Sequence, residues 1–478
     1  MRVRVAVVGA GFAGIAMARR LDAAGESFVV LERRPGIGGT WYDNRYPGVA
    51  CDVPAHLYGF SDIPHPGFSR VFAPGAEIRE YLEDAAASVA DRIMLSTRLE
   101  EAVWDGSRWN LATSRGDVVA EVLVLAAGRL TEPRYPEVDG EFAGPVVHTA
   151  RWDDDLDLEG ARVAVVGTGA SGLQVIPEIA RVAESVVVLQ RSAPYVLPKG
   201  DRAYDDAEIS LFRSRPERLD ALRESLRRET DEVFDERAGD ARLAARDRAL
   251  AHLAERVPDP VLREALTPDH EFGCKRVLFS DDYYDTVRLP HVTLVPHALT
   301  GYTPDAVVAA DGSQHEVDVV IAATGFHTTR QPYAELVTGR DGIGLDQYWS
   351  QGMRAYASTA VHGFPNMFVL DGPNATLAHN SAVLMIEAQA DYVASALPWL
   401  EHGPLEVSIE AEQAYVEELD ARSGPWTSGC HNWYVDERSG RQVLLWPGKA
   451  QEFRERFGHF DPGPFGIEVP DNAESTGA

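Results

Sequence analysis

The chain has 478 residues, 45% hydrophobic and 25% charged, an ordinary composition for a soluble protein with several cores and about three domains. Its formal net charge of -29 argues against binding nucleic acid or an anionic membrane, since either needs a basic face that displaces counterions. A strand-like run starts close behind Met1 and no apolar run reaches spanning length, so neither a signal peptide nor a membrane helix is expected, and a cytoplasmic location is the default.

Residues 3–32, VRVAVVGAGFAGIAMARRLDAAGESFVVLE, read as strand, tight glycine turn, helix and strand. Gly9, Gly11 and Gly14 fill Gly-x-Gly-x-x-Gly, and Glu32 ends the second strand 18 residues after Gly14. The glycines allow the turn and close backbone approach, the helix N-terminus receives a pyrophosphate, and the acid accepts hydrogen bonds from ribose hydroxyls. FAD suits this site. The run GGTWYDNRYPGVACDVP follows, with Asp52 before Val-Pro, where a turn-capping aspartate is the plain alternative to a functional one. A later strand, VLVLAAGRL, closes at Gly128 and either returns the chain to the cofactor edge or simply ends in a turn.

The stretch FAGPVVHTARWD sets Phe142, Gly144, His148, Trp152 and Asp153 at a spacing that helical or strand periodicity does not explain. Directly after it the first architecture recurs in ARVAVVGTGASGLQVIPEIARVAESVVVLQRS, with Gly167, Gly169 and Gly172, 158 residues beyond the first copy. Here the second strand ends in Gln190 and Arg191 instead of an acid. An acid would repel the 2′-phosphate that separates NADPH from NADH; Gln190 removes the repulsion and Arg191 supplies a planar donor fork. NADPH is therefore the expected second dinucleotide. Lys199 either adds charge near that phosphate or is a solvated loop residue.

Between Asp201 and His270 the composition turns to Arg, Glu, Asp, Ala and Leu. Leu219, Leu222, Leu226 and Val233 keep helical spacing, as do Leu243, Leu250 and Leu253, which predicts helices inserted into the second unit. The run GCKRVLFSDDYY follows. Lysine is rare, only Lys199, Lys275 and Lys449 among 45 basic residues, so Lys275 beside Arg276 stands out. Cys51, Cys274 and Cys430 are too few and too scattered for a disulfide framework or a Cys-x-x-Cys pair, and are expected to be reduced and buried. The strand VDVVIAATGF closes at Gly325, and GPNATLAHNS and CHNWY complete the notable stretches.

In this order and over nearly the whole chain, these stretches resemble the motifs of Baeyer-Villiger monooxygenases, flavoproteins related to flavin-containing monooxygenases. Phe-x-Gly-x-x-x-His-x-x-x-Trp-Asp matches their fingerprint. The resemblance implies an α/β fold of two Rossmann-like dinucleotide-binding domains, for FAD and NADP, with a helical insertion in the NADP domain. The expected division is 1–141 and 326–478 for FAD, 142–153 as linker, 154–200 and 271–325 for NADP, and 201–270 as insertion. NADPH would reduce the flavin, and the reduced flavin would bind O2 as a C4a-peroxide that attacks a ketone to give an ester or lactone. An N- or S-oxygenating flavin monooxygenase is the alternative reading. Neither a metal nor an obligate protein partner is implied, and the substrate is a small ketone or sulfide.

Arg276 is the implied fixed cation at the flavin and Asp52 its acidic partner. Lys275 would hold the nicotinamide nucleotide together with Thr168, Ser171 and the second glycine turn, while Trp433 covers it. Gly39, Thr40, Trp41, Tyr58 and Leu99 would line FAD. Asn380 and Ser381 would start a helix beneath the flavin, or are a simple helix cap. His148 is implied to be positional, tying domain rotation to cofactor loading with Phe142 and Trp152. The chain departs from the family at Asp43, commonly a second Trp, and at Ala50, in many members an Arg beside the pocket.

Overall fold

The computed structural model describes residues 1–235, 239–424 and 431–468. Two sheets with parallel cores organise it. The first contains β1 (Arg2–Val8), β2 (Phe28–Leu31), β3 (Ile93–Met94), β4 (Leu99–Trp104), β5 (Trp109–Thr113) and β6 (Val118–Leu125), and is mixed because β5 runs antiparallel to β4 and β6. The second contains β7 (Val146–His148), β8 (Arg162–Val166) and β9 (Ser185–Leu189), later joined by β12 (Val292–Val295) and β16 (Val319–Ala322). A two-stranded ribbon of β10 (Val196–Leu197) and β11 (Leu278–Phe279) lies at the neck of the insertion. Antiparallel β13 (Leu299–Tyr302), β14 (Ala306–Ala309) and β15 (Gln314–Glu316) cross between β12 and β16. The chain then returns to the first sheet as β17 (Val337–Thr338) on β4 and β18 (Met367–Val369) on β6.

β1 pairs in parallel with both β2 and β6, and β8 likewise with β9 and β16. Covered on both faces, β1 and β8 are apolar nearly throughout, as central parallel strands require. Each therefore ends at the point where neighbouring connections diverge to opposite sides, and there an α/β sheet opens a crevice for ligands. Helix α1 (Phe12–Ala23) leaves the first crevice; the short α2 (Thr40–Asp43) and α3 (Gly75–Ala86) follow. Helix α4 (Ala170–Ala180) leaves the second. The two turns are sterically equivalent: a Cβ on Gly14 would lie 1.8 Å from the Gly9 carbonyl oxygen, and one on Gly172 would lie 2.2 Å from that of Gly167.

The insertion comprises α5 (Asp206–Ser214), α6 (Pro216–Asp235), α7 (Gly239–Arg256) and α8 (Pro260–Ala265). Leu219 and Leu253 are buried as their spacing implies, whereas Leu243 and Val233 stay exposed because these helices are covered on one side only. The insertion does not belong to the second unit alone. Leu253 joins the core around β8 and β9, but Leu226 of α6 packs against the core of the first unit. Arg223 of α6 donates to the carbonyls of His56 and, at 3.1 Å, Gly59. The four-residue helices α9 (Tyr283–Thr286) and α10 (Leu345–Tyr348) precede α11 (Ala382–Ala396), which packs on α1.

Segment 142–153 is more than a connector, because β7 within it pairs with β16 and so extends the second sheet. Cys51 is free and buried, but Cys274 is disulfide-bonded, which corrects the expectation of reduced thiols; Cys430 lies outside the described residues.

Arg223→Met should uncouple α6 from the first unit. Two charge-assisted hydrogen bonds are lost, for about 2 kcal/mol. The expected result is a lower urea midpoint and earlier proteolytic cleavage within 206–256; an unchanged midpoint and digestion pattern would rule this docking out.

Candidate active site

At the first crevice the backbone approaches itself closely enough to cradle a pyrophosphate. A Cβ on Gly39 would lie 2.9 Å from the Gly11 Cα, so Gly11 and Gly39 together keep the mouth of the turn clear. Glu32 is buried at the end of β2, where its two carboxylate oxygens accept from the Ala10 N–H at 2.7 Å and the Arg34 N–H at 2.8 Å. Burial pushes its pKa up and those two donors oppose the rise. Each oxygen keeps a lone pair for a ribose hydroxyl. Thr40 and Trp41 open α2; the Trp41 indole N–H reaches the Tyr58 hydroxyl at 3.4 Å, and the Tyr58 ring meets Phe12 edge-on at 4.9 Å. Leu99 does not line this crevice with its side chain, which is packed in the core beside Ala6, Val29 and Leu31.

The second crevice repeats the turn with Gly167, Thr168, Gly169, Ser171 and Gly172, the last two in the first turn of α4. Gln190 directly follows β9. Its side chain is 2% exposed and its amide donates to the Ala265 carbonyl at 2.8 Å, so it faces the insertion instead of a phosphate. Arg191 is exposed just beyond it. Lys275 donates to the Ser192 hydroxyl at 2.9 Å, and Thr168 to the Ser192 carbonyl at 3.4 Å. Burial lowers the Lys275 pKa and the nearby Arg191 charge adds to that. Arg191, Ser192 and Lys275 thus form a cationic, donor-rich corner. Ser192 was legible only as the neighbour of Arg191. Lys199 lies elsewhere, its ammonium 4.9 Å from the centre of the Phe72 ring and within electrostatic reach of Asp52.

Between the crevices, residues 224 apart in the chain meet. The Arg276 Nη2 donates to Asp52 Oδ2 at 2.6 Å and its Nε to the same oxygen at 3.1 Å. Burial alone would raise the Asp52 pKa, but the Arg276 charge and hydrogen bonds prevail and hold it below the usual carboxylate range. Asp52 in turn raises the Arg276 pKa. Each side chain keeps about a quarter of its surface exposed, 25% and 27%, so the pair is available to a ligand. Three further groups stand within electrostatic reach of Arg276: Tyr434, the Cys51 thiol and Arg129, the last paired with Asp371. Trp433 lies tilted against Tyr434 with ring centres 4.6 Å apart, and its carbonyl accepts from the Thr328 hydroxyl at 3.1 Å.

Ser381 caps α11, its hydroxyl accepting from the Val383 N–H at 3.3 Å. Asn380 is turned to the insertion and donates to Asp231 Oδ1 of α6 at 2.8 Å. The linker is gripped at both ends. The His148 Nδ1 accepts from the Ala150 N–H at 3.0 Å, so Nε2 carries the proton and donates to the Gly325 carbonyl, also at 3.0 Å. Burial pushes the His148 pKa down to about 4. Gly144 has no room for a side chain: a Cβ would lie 2.5 Å from the Asp318 carbonyl oxygen and 2.6 Å from the Phe142 ring. Trp152 is buried with Tyr46 and the core of the second unit, whereas Asp153 is exposed and accepts from the Asp155 N–H at 3.1 Å.

Two dinucleotide crevices facing a shared ion pair can bring a hydride donor to an acceptor and hold an anion beside a permanent cation. No group of His, Cys, Asp and Glu able to hold a metal occurs among the described residues. Residues 6–205 match the pyridine nucleotide-disulphide oxidoreductase family. A protein of Streptomyces coelicolor named Baeyer-Villiger monooxygenase is 39% identical, the alignment covering 99% of this chain and 94% of that one. Among solved structures, oxidized steroid monooxygenase bound to NADP superposes with a TM-score of 0.85 at 33% identity, over 96% of this chain and 97% of that one. OTEMO in complex with FAD and NADP gives 0.86 at 27%, over 95% and 96%. With these relatives matching both crevices and nearly the full length, the chain belongs to the Baeyer-Villiger monooxygenase family.

Proposed function

We propose that Arg276 and Asp52 are the catalytic pair of an NADPH-dependent flavoprotein monooxygenase that inserts oxygen beside the carbonyl of a small ketone. The ion pair that joins the two crevices carries this reading. FAD and NADPH are the cofactors: bound together, they supply a hydride to flavin and then activated O2. In the balanced reaction NADPH provides two electrons, one oxygen atom enters the C–C bond next to the carbonyl, and the other leaves as water.

The residues fit these groups. Glu32 offers acceptors to the ribose of FAD, and Gly9, Gly11, Gly14 and Gly39 leave space for its pyrophosphate. Arg191, Ser192 and Lys275 suit a 2′-phosphate, with Gln190 contributing only the absence of an acid. Arg276 stays protonated at any working pH and so neutralises negative charge that develops on oxygen during attack on the carbonyl. Asp52 fixes the direction of the guanidinium by binding two of its N–H groups, which leaves the remaining edge for the reacting oxygen. Trp433 and Tyr434 form an aromatic wall beside it that limits water.

Small ketones and sulfides are the proposed substrates. Among the described residues no helix is long and apolar enough to cross a membrane; a cytoplasmic location remains the proposal of the sequence. The proposed domains are those of the sequence reading, with 201–270 shared between the units as their common wall.

Arg276→Ala is expected to keep reduction of bound FAD by NADPH while ester formation falls at least about 100-fold, the usual cost of removing a donor to a developing oxyanion. Anaerobic stopped-flow traces paired with product mass spectrometry measure both; ester at a near wild-type rate would reject the role. Arg191→Ala should raise KM for NADPH about tenfold or more and leave KM for NADH nearly unchanged. Equal changes for the two coenzymes would remove Arg191 from phosphate recognition.

A further inference from the structure

The loop that carries Asp52 makes polar contacts with the second unit that neither dinucleotide site accounts for, several of them on Gln174. Gln174 lies in the first turns of α4, two residues after Gly172. Its side-chain amide grips the backbone of Ala50 from both sides: Nε2 donates to the Ala50 carbonyl at 2.9 Å, and Oε1 accepts from the Ala50 N–H at 3.4 Å. The same Oε1 accepts from the Tyr46 hydroxyl at 2.8 Å. Tyr46 is buried in the same core cluster as Trp152 of the linker. On the other side the loop is pinned to the first unit, since the Cys51 N–H donates to the Ala73 carbonyl at 3.0 Å and Ala50 bridges Pro74.

The fit is close. Gly48 has φ +81°, and a Cβ there would lie 2.6 Å from the Gln174 carbonyl oxygen, so the loop runs against α4 without space for a side chain. Oε1 therefore collects two donors and Nε2 serves the one carbonyl in reach, an orientation that a flipped amide could not satisfy. Asp52 follows Ala50 by two residues, and its carboxylate is already committed to Arg276. Any shift of α4 is thus passed to the Ala50 peptide and from there to Asp52. Because α4 starts at the turn that cradles the second dinucleotide, the contact reports the position of that turn to the catalytic pair.

We propose that Gln174, supported by Tyr46, is a positioning residue that aligns the Asp52 carboxylate with the position of the NADP-binding helix, so that its charge stands correctly for the incoming nicotinamide and hydride transfer is fast only when both units are in register. This rests on the NADPH-dependent flavoenzyme reading above. Gln174 touches neither the nucleotides nor the substrate in this scheme. Displacements of about 1 Å at a reacting pair cost up to about 100-fold in rate.

The test is anaerobic flavin reduction in the FAD-loaded enzyme with NADPH deuterated or not at C4. Gln174→Ala should slow reduction about tenfold or more, raise the deuterium effect, and change the NADPH dissociation constant less than about threefold. Tyr46→Phe, which keeps the ring in place, should move the same readouts in the same direction by less. In an Asp52→Ala background, Gln174→Ala should add nothing, because the two act on one step. Multiplicative slowing in that background, or a wild-type rate for Gln174→Ala, would overturn the proposal; so would a loss limited to melting temperature and flavin content. A wild-type enzyme that NADPH does not reduce would sink the flavoenzyme reading itself, a distinct outcome.

Discussion

The contact on which the site depends is the ion pair of Arg276 and Asp52 across the junction of the two units. A guanidinium or carboxylate drawn from water without its partner costs several kcal/mol, so the partly buried pair favours one register between the halves of the chain. A depressed Asp52 pKa means that the pairing energy is present above the ordinary carboxylate range and is lost as pH falls through the folded value. At neutral pH both groups are charged. What can vary is their direction, and the loop around Ala50, the second glycine turn and the aromatic wall at Trp433 all constrain it.

The insertion crosses the same junction by a different route. Arg223 and Asp231 of α6 are spent on His56, Gly59 and Asn380 of the first unit, while Leu253 and Val257 at and beyond the end of α7 enter the core of the second. Asp231 is 7% exposed and also faces Arg227 and His379, so its charge is compensated from two elements. A helical layer anchored on both sides cannot follow either unit freely. Its position is therefore tied to the separation of the crevices, which makes it suited to form a wall of the space between them.

How much of this could be read in advance follows from the range of each interaction. The glycine turns were legible because their requirement is local, a collision between a Cβ and a carbonyl five residues away. Glu32 and Arg191 were legible as residue types at fixed distances along a β-α-β unit. Directions were not. Gln190 was recognised as a missing acid, yet its amide turns to Ala265, a residue supplied by the insertion 75 positions later. Leu99 was expected beside FAD; its side chain belongs to the core cluster of Ala6, Val29 and Leu31, which spacing along the chain did not reveal. Asn380 pairs with Asp231 across 149 residues, and Gln174 with Ala50 across 124. Periodicity carries no signal for such pairs. It also locates a helix without saying which face is covered, hence the exposed Leu243 and Val233.

Asp43, the departure from the family at a position commonly occupied by Trp, has a physical counterpart on the linker. Its carboxylate binds Arg34 Nε at 2.8 Å and Arg151 Nη1 at 3.4 Å, joining the end of β2 to the residue before Trp152. A Trp at this place would leave two guanidinium groups facing an indole instead of an anion. The same linker reaches the second unit through His148, whose neutral ring donates to Gly325, while β7 extends the second sheet. One end of the segment is thus fixed by neutral hydrogen bonds in a parallel ladder and the other by charges at the first unit. Salt weakens the second kind and leaves the first nearly untouched. The hold of the linker on the first unit, at Arg151 and Asp43, is accordingly the more salt-sensitive of its two attachments.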